Sequence, residues 1–356
     1  MKILRGIQVI DLSSVLAGPS VASFLGECGA EVIKIENAAT NGDVTRTWKI
    51  PGENSPTHIS AYYACCNAFK KIKKWDLNDP HACESLYLLI QQSDILITNF
   101  KKNTLLKFGL DYDAVKQLKK DIIYAHLSGF GPDDSRVAYD LVLQAESGWM
   151  YLNREENDFP LKVPVAIIDL FAAHQLKEAI LLALIKRMKT GKGSYIHCSL
   201  IDAALAALAN QATNFLTGGV NPRPSGSLHP NIAPYGELFK TADNRWLVLA
   251  IGSDEQFQKL CTLLDLSGLA TNPKFSSNPL RVKFRHELFQ LLQDKIKDLE
   301  FEYLYEQLKK LQIPAAGIYD VAEAFQKHSV GNVVLKTEVD GVEVTTIRQL
   351  VAQIKD

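Results

Sequence analysis

Short apolar runs alternate with longer stretches of helical spacing along this chain. Gly6-Ile7-Gln8-Val9-Ile10-Asp11-Leu12 reads as a strand, and Ala17-Gly18-Pro19 as a turn with Pro19 suited to a first helical position. Ser20 to Cys28 has helical spacing, and Gly29 can end that helix in the left-handed conformation. Glu31 to Glu36 is the next strand, which completes a β–α–β opening. The alternation continues with a helix over His81 to Gln92, a strand over Asp94 to Thr98, a helix over Tyr112 to Leu118 and a strand over Ile122 to Leu127. Strands and helices at this spacing predict a parallel sheet covered on both faces, the doubly wound α/β class. No G-x-G-x-x-G follows the first strand, so the dinucleotide fingerprint is absent.

Further on, Leu170 to Thr190 keeps helical spacing until Gly191-Lys192-Gly193. Tyr195 to Leu200 reads as a strand, and Ile201 to Leu216 as one long Ala-rich helix. Gly218 to Pro234, rich in Gly, Pro, Asn and Ser, predicts a linker or lid. Gly236 to Ile251 has the pattern of a hairpin turning at Asp243-Asn244, and helices dominate from there to Leu311.

The length, 356 residues, fits two domains or one large elaborated domain. A net charge of −1 leaves no electrostatic footprint for nucleic acid or an anionic membrane surface. The first residues lack the apolar core of a signal peptide, and the apolar run Ala179 to Ile185 is too short to span a bilayer. A cytoplasmic enzyme is therefore the expectation. Cys28, Cys65, Cys66, Cys83, Cys198 and Cys261 form no C-x-x-C pair, and no Cys/His group has zinc spacing. They read as reduced, mostly buried thiols.

One carboxylate stands out. Asp169 lies in Val163-Pro164-Val165-Ala166-Ile167-Ile168-Asp169-Leu170-Phe171, where an apolar extended run meets the long helix. A carboxylate at such a junction is either a helix cap or a nucleophile favoured by the positive end of the helix dipole.

Several segments taken together resemble the family III CoA-transferases, the CaiB/BaiF group of formyl-CoA transferase, carnitine CoA-transferase and 2-methylacyl-CoA racemase. They are Val15-Leu16-Ala17-Gly18-Pro19, Gly29 to Glu36, Gly42-Asp43-Val44-Thr45-Arg46, Asn99-Phe100, Ser128-Gly129-Phe130-Gly131, Tyr139-Asp140, Asp169 and His229 to Tyr235. The resemblance runs over roughly residues 5 to 325; each motif is weak alone, and their order and spacing are specific. It implies a Rossmann-like CoA-binding domain over 1–200, a helical linker over 201–224, a small α+β domain over 225–320 and a C-terminal return segment over 321–356 that is shorter than in relatives. It also implies an interlocked homodimer.

The resemblance makes Asp169 the nucleophile of a transfer between an acyl-CoA and a small carboxylic acid. The route runs through an aspartyl mixed anhydride and an aspartyl-CoA thioester. Exchange of one carboxylate for another calls for an enzyme carboxylate, a site that excludes water and N–H donors for the oxyanions. It calls for no metal or redox cofactor; CoA enters as cosubstrate. The racemases of this fold carry a His before the Asp, where this chain has Tyr139, and a phenol near pKa ~10 is a poor proton shuttle at neutral pH. Tyr139 thus favours transferase over racemase, and His126 reads as a sheet residue. A non-catalytic CoA-binding subunit is the third alternative.

CoA contacts carried over by position are Val15, Leu16 and Ala17 at the reaction turn, and Ala38, where some relatives have Arg. The others are Trp75 and Asn78 beside adenine and ribose, the dipeptide Asn99-Phe100, and Lys107 in place of a phosphate-binding Arg. Leu16 replaces a Gln that handles a very small acyl group, which argues against a formyl/oxalate pair. Arg46 is either an anion partner or half of a structural ion pair. Lys70-Lys71-Ile72-Lys73-Lys74 is more basic than the family stretch, and it reads either as phosphate-binding or as a solvated face.

Overall fold

A computed structural model describes residues 2–53, 57–154 and 158–354, so the end of the expected return segment over 321–356 lies outside the described residues. Two compact units make up the chain. The larger comprises Met1–Met150, Lys162–Asn221 and Val330–Asp356, and the smaller Tyr151–Leu161 and Pro222–Ser329.

A six-stranded sheet forms the centre of the larger unit: β1 (Gln8–Asp11), β2 (Glu31–Asn37), β3 (Lys70–Trp75), β4 (Ile95–Thr98), β5 (Ile123–Ser128) and β6 (Ser194–Ser199). The order is β3-β2-β1-β4-β5-β6 and every pairing is parallel. Successive residues serve opposite faces. Val9, Ile95, Ile97, Ile123 and Ala125 enter one core, whereas Ile10, Leu96 and Tyr124 enter the other. Burial on both faces explains the nearly continuous apolar runs.

The helix Ala17–Glu27 covers the first core, and Gly29 at φ 105 ends it: Gly29 N–H donates to Gly26 O and Ala30 N–H to Leu25 O. The helix Ile167–Thr190 packs on the same face through Ile168, Ala172, Leu176 and Ile180. The apolar stretch Ile201 to Leu216 is not one helix. It divides into Leu200–Ala206 and Ala209–Gly218, with Ala209 at φ 46. Lys70 to Trp75 forms the edge strand β3, with Lys71, Lys73 and Lys74 exposed and Lys70 turned inward. Two residues after a hairpin of Val334–Val339 and Val342–Ile347, Gln349 ties back by accepting Lys177 Nζ and donating to Cys65 O.

In the smaller unit, Tyr235–Lys240, Trp246–Ala250 and Ala315–Gly317 form an antiparallel sheet, the first two making the expected hairpin with Asn244 at φ 61 in its turn. Helices such as Asp254–Leu263, Arg285–Ile296 and Phe301–Lys310 cover it around Phe239, Phe257 and Leu304. Arg285 and Arg281 hold the His229 to Tyr235 segment by donating to the carbonyls of His229, Ile232 and Ala233.

Candidate active site

Strands β1, β2 and β3 follow one another to one side, and β4, β5 and β6 to the other. The order reverses between β1 and β4, and ligands of open α/β sheets bind at the strand C-termini near such a switch. The turn after β1 and the dipeptide after β4 meet there: Ser14 N–H donates to Asn99 Oδ1 and Asn99 Nδ2 donates to Ser14 O, at 3.2 and 3.1 Å.

A cavity of about 140 Å³ opens at this point. Val15, Leu16, Ala17, Asn99, Phe100, Tyr139 and Asp169, distant in sequence, all line it. A second cleft of about 770 Å³ lies along the C-terminal ends of β1 to β3, with Ser14 and Phe100 common to both and Arg46 in its wall. Ala38, Trp75, Asn78 and Lys107 line neither. Ala38 is exposed on a short 3-10 turn, and Trp75 packs in the core with Lys73 Nζ 5.1 Å from its ring. Lys107 Nζ donates to Asn78 Oδ1 at 2.6 Å, so those two pair with each other.

Asp169 sits in the first turn of the Ile167–Thr190 helix. The cap position is Ala166, so Asp169 is not the helix cap. Its residue exposure is only 8%, and among the described residues no protein group hydrogen-bonds its carboxylate. Burial, reinforced by the charge of Asp140, lifts its pKa from an ordinary 3.8 to about 7. Tyr62 has its phenol pushed up by burial and by the charge of Asp169, and its ring meets Trp48 edge-on at 5.1 Å.

Asp140 and Gln144 hold the entry to this helix. Asp140 Oδ1 accepts Ile168 N–H at 2.7 Å, and Asp140 Oδ2 accepts Gln144 Nε2 at 2.6 Å. Gln144 in turn accepts Val163 N–H and donates to the carbonyls of Val163 and Val165. Sequence reasoning placed no role on either residue. Their i,i+4 spacing was visible, but the segment they grip begins nearly twenty residues downstream. Tyr139 precedes the same short helix, Asp140–Glu146, and is 51% exposed.

A cluster of buried charges borders the second cleft, which Lys34 and Asp43 help to line. Lys70 Nζ donates to Asp11 Oδ2, Pro19 O and Asn67 Oδ1, so this lysine of the basic stretch turns inward. Lys34 Nζ stands 3.3 Å from Asp43 Oδ2 and 3.8 Å from Asp11 Oδ2. Burial opposes ionisation of Asp11, but Lys34 and Lys70 outweigh it and hold its pKa below the ordinary value. Arg46 is engaged by Glu36, Asp340 and Tyr63, at 2.7, 2.9 and 2.7 Å. His126 is buried in β5 with Nε2 3.1 Å from Phe100 O, and burial lowers its pKa.

A desolvated carboxylate in a cavity at the switch point of a parallel sheet defines an enzyme site. The pattern of CoA-transferase family III matches residues 4–355, and the chain belongs to that family. Over 353 residues it is 36% identical to the succinate–glutarate CoA-transferase of Agrobacterium fabrum, covering 97% of this chain and 87% of that protein. Human succinyl-CoA:glutarate CoA-transferase is 36% identical over 309 residues, 86% of this chain and 69% of that one. The crystal structure of a CAIB/BAIF family protein from Brucella suis superimposes with a TM-score of 0.84 at 35% identity, covering 100% of this chain and 93% of that one. Among the described residues, no helix is long and apolar enough to cross a membrane.

Proposed function

We propose that this enzyme moves CoA from an acyl-CoA thioester to a small carboxylic acid, with Asp169 as the nucleophile. The supporting observation is the buried Asp169 carboxylate, free of hydrogen bonds among the described residues, in a cavity sized for an acyl group. Burial raises the basicity of this carboxylate and with it the nucleophilicity of its ionised form. Asp169 attacks the thioester carbonyl, the C–S bond breaks, and a mixed anhydride and CoA thiolate result. The thiolate attacks the aspartyl carbonyl, which releases the donor acid and leaves an aspartyl-CoA thioester. The acceptor carboxylate attacks that thioester to form a second anhydride, and the thiolate then takes the new acyl group and frees Asp169.

The 770 Å³ cleft is the proposed place of the CoA nucleotide, with Phe100 and Ser14 between it and the reacting end. In this reading Val15, Leu16 and Ala17 border the thioester and Tyr139 borders the acyl group. Ala38, Trp75, Asn78 and Lys107 are proposed as outer CoA contacts. Dicarboxylates of the succinate and glutarate class are the proposed acids, since the relatives above are named for them. Lys101 in the cavity wall offers a cation for the distal carboxylate. The active form is proposed to be a homodimer, which light scattering tests directly.

Incubation with a panel of acyl-CoAs and acids in D₂O, followed by mass spectrometry, tests the reading. New acyl-CoA species are expected. Deuterium at the α-carbon without new species would replace transfer with racemisation. With ¹⁸O-labelled acceptor acid, the peptide carrying Asp169 gains label; an unlabelled peptide would exclude the anhydride route.

A further inference from the structure

Val15 is the residue of this site whose backbone demands an explanation. Its φ is 75, in the left-handed region that a β-branched side chain rarely adopts. No strand or helix holds it there. Both polar backbone groups of each residue in Ser13-Ser14-Val15 are instead bound by side chains. Ser13 N–H donates to Asp11 Oδ1, and Ser13 O accepts Lys34 Nζ at 2.6 Å. Asn99 takes both groups of Ser14, Asp43 Oδ2 accepts Val15 N–H at 3.2 Å, and Val15 O accepts Cys66 Sγ at 3.3 Å.

We infer that Asp43 is a positioning residue that holds Val15 in its left-handed conformation and so fixes the wall of the Asp169 cavity. This rests on the reading of Asp169 as the reacting group. Asp43 is equipped to act as a clamp. Its Oδ1 accepts Thr45 N–H at 3.0 Å and Thr45 Oγ1 at 2.8 Å, while Oδ2 faces Lys34. Its own N–H donates to Glu36 Oε2, which Arg46 Nε also grips. Asp43 and Arg46 of the Gly-Asp-x-x-Arg motif thus serve one frame, Asp43 reaching the turn and Arg46 anchoring Glu36. Lys34 joins the frame to Ser13 O. Relaxing Val15 to negative φ would redirect Leu16 and Ala17, which follow it directly in the cavity wall and begin the helix Ala17–Glu27.

A double-mutant cycle in kcat tests this. In Asp43→Asn the amide can keep the Thr45 bonds only by turning its NH₂ to Val15 N–H, where it cannot accept. The loss of kcat is expected to be roughly tenfold to a hundredfold, the range for a misplaced reacting group. In the Val15→Gly background, where left-handed backbone carries no steric penalty, most of that loss should vanish. An equal loss in both backgrounds would overturn the inference, as would unchanged kcat in Asp43→Asn with only a lowered Tm. If Asp43→Asn does not fold, Cys66→Ala, which removes the partner of Val15 O, enters the same cycle with the same criterion. Asp169→Ala is assayed alongside. Turnover surviving there would defeat the proposed function, whereas an inactive Asp169→Ala with an empty cycle would defeat only the role of Asp43.

Discussion

Asp169→Asn removes a charge that the folded chain resists forming. The carboxyl titrates near an ordinary 3.8 in the unfolded chain and at about 7 in the folded one. Folding therefore favours the protonated form. That stabilisation is complete below 3.8 and is lost as pH rises to about 7, amounting to about 4 kcal/mol. Asparagine escapes this loss but leaves a buried amide short of partners, which costs about 1–3 kcal/mol. The variant is thus expected to exceed the wild type by about 2 kcal/mol at pH 7.5, or about 3–4 °C in Tm. Near pH 4 it should melt at or below the wild type. Thermal melts of both proteins from pH 4 to 8, without substrate, measure the difference. A gap that does not change with pH would mean that Asp169 is solvated in the folded state, and the desolvated-nucleophile argument would fail. Inactivity of the variant alone would not rescue it.

Three further outcomes are expected. Asp140→Asn keeps an acceptor for Ile168 N–H but deletes the charge that helps raise the Asp169 pKa, so the acidic limb of kcat/KM should move to lower pH; an unmoved limb would leave burial as the sole cause. Glu36→Ala strips Arg46 of a bidentate partner inside the protein and should destabilise it by about 3–5 kcal/mol in urea titration, against less than about 1 kcal/mol if the pair were solvated. Ala209→Gly relieves a left-handed alanine and should stabilise by up to about 1 kcal/mol in the same assay; a loss would show that φ 46 is well tolerated there.

The sheet was legible because its evidence is local. Val9-Ile10, Ile95-Leu96-Ile97 and Ile123-Tyr124-Ala125 each pack both faces, and such runs announce buried parallel strands. Asp169 stood out for the same reason, although the β-branched Val163, Val165, Ile167 and Ile168 suggested extended chain up to the carboxylate, and the helix starts at Ile167. What escaped was set by distant partners. Lys70 looks like its neighbours in a basic run, and only the arrival of Asp11 and the Pro19 carbonyl turns it inward. The Ala-rich stretch after Ile201 carries no Gly or Pro at Ala207-Leu208-Ala209, so nothing local marks the break. The left-handed Val15 was equally hidden, since valine is the wrong residue for that conformation and the clamp is assembled from Lys34, Asp43, Cys66 and Asn99.

The larger unit is completed by the last part of the chain. Leu335 and Val339 pack on Ile59 and Tyr63, and Asp340 supplies a carboxylate to Arg46 and His58. A ribosome makes the whole of Pro222–Ser329 before these residues emerge. During synthesis the nascent sheet therefore waits with one flank of its Arg46 cluster in water. The smaller unit, an uninterrupted run apart from Tyr151–Leu161, is complete before the larger one. The unit begun first is thus finished last, and a stop codon just before Val330 would remove a wall of the larger unit while leaving the smaller one whole.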